Sequence, residues 1–138
     1  MLIFDYLVLG VGFIMKEINR KNITNFMNYY HNFHDSNIIN INYYVKDSRI
    51  EVILDVCWSG IPVLNEDKTY QTNSVILKMI FYDIVQYNNR EMSLNNNINK
   101  AFLKYIKFND REMLCFADSS LKPLFYVVCD RIEYEEID

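Results

Sequence analysis

The chain has 138 residues, 51% of them hydrophobic and 23% charged, with a formal net charge of −4. That length and composition fit one globular domain with a real core and argue against wholesale disorder. The acidic balance argues against general nucleic-acid binding, which needs a basic stripe to neutralise phosphates, and against docking on anionic membranes.

Residues 1–15, MLIFDYLVLGVGFIM, are too few to span a bilayer core of ~30 Å and carry Asp5. They lack the basic start and small-residue cleavage site of a secretory signal. They read either as a strand with Leu2, Phe4, Tyr6 and Val8 on one face or as an extension ahead of a start at Met15. In 16–30, Ile23, Phe26, Met27 and Tyr30 recur at helical spacing, with Asn22 placed to cap. The period then falls from about four to two. Ile39, Ile41, Tyr43 and Val45 alternate with Asn40, Asn42 and Tyr44. After KDSR (46–49), Ile50, Val52, Leu54, Val56 and Trp58 point inward, with Glu51 and Asp55 outward. These two runs predict an antiparallel hairpin over 38–58.

Residues 59–74, SGIPVLNEDKTYQTNS, read as a long loop, the kind of segment that serves as a contact surface. A strand follows at 75–85 and a polar loop at 88–99. Residues 100–108 fit strand or helical spacing. Strand is favoured, with Phe102, Ile106 and Phe108 on one face, because NDRE (109–112) reads as a hairpin turn into 113–117. A last strand at 124–134 ends in an acidic tail. The sum is one domain over 1–138, α+β and mostly antiparallel β, a sandwich-like or curved sheet with one short N-terminal helix.

The residues able to carry chemistry are few. Cys57, Cys115 and Cys129 are far apart, form no C-x-x-C and lie in apolar runs, as buried thiols do in a reducing cytosol. Cys57, beside Trp58, is the best placed for a cysteine–histidine pair. Ser59-Gly60 lacks the flanking glycine of a nucleophile elbow. Asp83, Asp118 and Asp130 are candidate paired carboxylates, but any acidic β-protein offers as many. Both histidines fall in HNFHDSNI (31–38). His31, His34 and Asp35 have the composition of a two-histidine, one-carboxylate metal site, and a metal-assisted hydrolase there is the alternative reading. Against it, adjacent His34 and Asp35 aim poorly at one centre, and Asp35 and Ser36 are good turn formers. No cofactor is expected.

The aromatic-rich helix, the turn Phe33-His34-Asp35-Ser36-Asn37-Ile38, the strand RIEVILDV and the later VILKMIFYDI together resemble small bacterial immunity proteins of polymorphic toxin systems with an FHDS-type turn. The likeness runs over roughly residues 24–134, with no counterpart for the 60–74 loop. It implies a protein that neutralises a toxin by binding it, with His34, Asp35 and Ser36 as a structural turn; together with the cysteine pattern, the expectation is a cytoplasmic protein without catalytic activity. If the toxin domain is basic, carboxylates near an aromatic anchor are the expected contact, and Glu66, Asp67 and Tyr70 in the loop are the residues so placed. A homodimer or other self-association through exposed strand edges is the third reading.

Overall fold

The computed structural model describes residues 15–89, 97–98, 100–119 and 123–137; the expectations for residues 1–14 lie outside this set. Eight strands form one antiparallel sheet, curled into a half-barrel. They are β1 (Lys16–Glu17), β2 (Ser36–Tyr44), β3 (Arg49–Val56), β6 (Val75–Asn89), β7 (Asn97–Ile98), β8 (Phe102–Phe108), β9 (Arg111–Ala117) and β10 (Phe125–Glu136). Their order is β7-β2-β3-β6-β10-β9-β8, with β1 on β10. A separate two-stranded sheet joins β4 (Val63–Leu64) to β5 (Tyr70–Gln71). The fold is thus α+β and mostly antiparallel, in its curved form.

Helix α1 (Ile23–Tyr29) buries Phe26 and Met27. Asn22 sits at its N-terminus without capping it: the side chain accepts the Asn19 N–H at 2.8 Å and donates to the Glu17 carbonyl. Inside the curl, α1 shares one core with Ile50, Val52, Leu54 and Val56 of β3, Leu77, Met79 and Phe81 of β6, Phe116, and Phe125 and Val127 of β10. The alternation expected for β3 is therefore real. On its other face Glu51 and Asp55 are half-buried rather than exposed; Glu51 pairs with Arg49 of its own strand at 3.1 Å and with Lys78 across on β6 at 3.5 Å.

Three irregularities bend the sheet. In β2 the register slips between Ile38 and Asn40, so Ile38 and Ile41 face the core while Ile39 is exposed, contrary to the simple alternation. Val45 lies in the connecting turn and is also exposed. In β6, Asp83 has φ +57°, and the inward set changes from Phe81 to Ile84. Ser48, itself at φ +47°, holds that bend: its carbonyl accepts the Asp83 N–H and its hydroxyl accepts the Ile84 N–H, both at 2.9 Å. β10 slips its register against β6 beside the same bend.

β8 is a strand, but its core face is Leu103 and Tyr105. Ile106 and Phe108 pack on the opposite side with Met113, Cys115, Tyr126 and Val128. Its two-residue turn to β9, Asn109-Asp110, has φ +50° and +64°, the hand that matches strand twist. β10 runs to Glu136, so the expected acidic tail is largely sheet. Glu133 accepts the Tyr82 hydroxyl and Glu136 the Tyr30 hydroxyl, each at 2.8 Å.

Candidate functional site

The turn after α1 is built from residues rarely found in its conformation. His31, Asn32 and Phe33 have φ of 52°, 53° and 58°, and Asp35 follows at 61°. Left-handed geometry costs a non-glycine residue roughly 1–2 kcal/mol, less for Asn and His. What offsets it is Phe33, fully buried against the rings of Phe26, Tyr30 and Phe116. The Asn32 carbonyl also accepts the Ala101 N–H at 2.8 Å, tying the turn to the segment that leads into β8. Ser36 is buried at the start of β2.

The same turn grips the segment 59–74. Gly60 donates its N–H to the Tyr29 carbonyl at 2.8 Å, and its own carbonyl lies 2.7 Å from His31 Nε2. A carbonyl only accepts, so this bond places a proton on Nε2. Gly60 has φ +65°, and a side chain there would strain the backbone. Ser59 and Asn73 close the base: the Ser59 hydroxyl donates to the Asn73 carbonyl at 2.7 Å and the Asn73 amide to the Ser59 carbonyl at 3.3 Å. What reads as a loop is therefore a clamped hairpin, β4–β5.

Its tip is equally defined. Asp67 Oδ1 accepts the Thr69 hydroxyl at 2.5 Å and the Thr69 N–H at 3.1 Å, and these bonds hold its carboxyl below the usual range. Asn65 and Thr69 are joined backbone to backbone at 2.7 Å. Asp67 thus shapes the tip, while Glu66 is an exposed carboxylate beside it. Above the clamp the hairpin is apolar and uncovered: Ile61 is 90% exposed, Val63 58%, Leu64 55% and Tyr70 60%.

Between turn and hairpin lies a pocket of about 230 Å³ lined by His31, His34, Trp58, Pro62 and Tyr70. Both histidines, the tryptophan and the hairpin tyrosine, singled out separately by sequence, meet there. Trp58 is half-buried past the end of β3, so it extends the inward row only in part. Its ring lies 6.3 Å from that of His31. A larger groove of about 510 Å³ runs along α1, but the Tyr30 hydroxyl among its lining groups is already bonded to Glu136.

The other candidate chemistry is dispersed or occupied. His34 Nε2 lies 3.3 Å from its neighbour's Asp35 Oδ2, whereas His31 is engaged with Gly60. Among the described residues no group of three or more His, Cys, Asp or Glu is placed to hold a metal. Burial, then Asp35 and Asp55, push the Cys57 thiol up, the reverse of an activated nucleophile. Asp118 accepts the N–H groups of Leu124 and Phe125, and Asp130 pairs with Arg111 at 3.4 Å. Among the described residues no helix is long and apolar enough to cross a membrane.

Sequence reading passed over Ile61, Val63 and Leu64. The signal for them was present: IPVL is an apolar run inside an otherwise polar stretch. No protein-family model matches the chain, and neither does any curated protein or solved structure.

Proposed function

We propose that this chain is a non-catalytic protein-binding domain whose contact surface is the β4–β5 hairpin with the pocket beneath it. The observation that carries the reading is the uncovered apolar set Ile61, Val63, Leu64 and Tyr70 on a hairpin that is hydrogen-bonded at its base yet outside the main sheet. Such a patch leaves apolar surface in water without a folding benefit, and a partner that covers it recovers that free energy. The clamps reduce the ordering cost of association. Glu66 and Asp67 at the tip favour a basic partner by steering its approach. By its resemblance to FHDS-type immunity proteins, that partner is a toxin, and the domain neutralises it by occupying its surface.

The test uses the protein encoded next to this gene, titrated calorimetrically against the wild-type chain and a Glu66→Lys/Asp67→Asn variant. The Asp67→Asn change keeps a side-chain oxygen for the Thr69 bonds, so the thermal midpoint is expected to stay close to that of the wild type. Affinity is expected to fall at least tenfold and its salt dependence to flatten. Unchanged affinity and salt dependence would place the contact elsewhere.

A further inference from the structure

We infer that the pocket between turn and hairpin receives a single guanidinium, the arginine side chain of a basic protein partner, an inference that rests on the protein-binding reading above. Four of its five lining side chains are rings with π systems, those of His31, His34, Trp58 and Tyr70, and the fifth is Pro62. The Trp58 indole nitrogen is sealed from solvent and has no hydrogen-bond partner among the described residues. At about 230 Å³ the pocket is smaller than the roughly 300–1,000 Å³ of small-molecule sites and suits one side chain.

The sign of charge around it selects which side chain. Among the described residues no lysine or arginine lines the pocket. Asp35 lies against His34, and Asp35 and Asp55 both act on Cys57, the residue next to Trp58. Glu66 and Asp67 stand beyond Tyr70 at the hairpin tip, where Lys68 is the sole cation of the 59–74 segment. An aliphatic or aromatic side chain would gain the ring contacts but nothing from these carboxylates. A guanidinium gains both, because it is planar, stacks on aromatic rings and is less strongly hydrated than an ammonium.

Trp58 is the only tryptophan of the chain, so its indole N–H resonance reports on this pocket alone. The probe is the blocked tripeptide Gly-Arg-Gly, with Gly-citrulline-Gly as the neutral isostere, titrated into the full chain. The arginine peptide is expected to shift the resonance saturably at millimolar concentration, with the citrulline peptide at least fivefold weaker. Tyr70→Leu, an exposed change, should weaken the arginine response by a similar factor. No saturable shift, or equal responses to the two peptides, overturns the assignment even if a protein partner is found at the hairpin. An arginine-selective response upholds it even if the neighbouring gene's product does not bind.

Discussion

The Nε2 proton of His31 is spent on the Gly60 carbonyl, and this bond, with the one from the Gly60 N–H to the Tyr29 carbonyl, ties the hairpin to the end of α1 and the turn after it. Removing it in His31→Ala leaves the carbonyl short of a donor, at a cost of about 0.5–1.5 kcal/mol. The expected signature is local: faster amide exchange across 60–73, with the strands of the main sheet nearly unchanged. Leu54 is the contrasting case. It is fully buried in the centre of β3, and Leu54→Ala should cost about 2–5 kcal/mol in denaturant unfolding. A loss of a few tenths would mean that the inward face of β3 is assigned wrongly. The residue-level roles of the FHDS turn were only partly legible. Asp35 and Ser36 were recognisable turn formers, but the hydrogen bond of His31 joins residues 29 apart and leaves no local pattern.

At the level of elements, legibility followed burial. β3 alternates strictly because one face lies in the core, so its period survives in the sequence. β2 carries the same signal broken at Ile39, and a bulge shifts the phase without any residue type that announces it. β4 and β5 are two residues each, too short for any period, so their stretch read as a loop. The bend at Asp83, with the register slip of β10 beside it, depends on Ser48 from another hairpin, again a long-range contact. The Asn109-Asp110 turn was visible because its chemistry is local. Replacing Asn109 with valine, a branched residue ill suited to positive φ, should cost roughly 1–2 kcal/mol by denaturant midpoint. A neutral result would mean that the turn relaxes to another hand.

Across the whole molecule, two tyrosine–glutamate bonds tie the sheet and helix to the last strand. Burial, then the bond to Glu133, pushes the Tyr82 hydroxyl up to about 12; burial, then the bond to Glu136, pushes Tyr30 higher still. Both hold their protons more tightly folded than unfolded. Their contribution to stability is therefore full below the ordinary tyrosine value near 10 and is lost as pH rises through the folded values. Thermal midpoints should decline above about pH 10, and Tyr30→Phe and Tyr82→Phe should each make that decline shallower. An equally steep decline in both variants would assign alkaline sensitivity to other groups.

We propose the clamped hairpin, with its uncovered apolar face, as the surface through which this domain binds a protein. Amide hydrogen exchange of the chain, free and saturated with the product of the neighbouring gene, measures this most directly. Protection is expected at 59–73 and at 31–35, the two walls of the pocket, with little change along β8 and β9. Protection confined to the open edge of β8, or to the 38–44 segment of β2, with the hairpin exchanging as in the free chain, would contradict it.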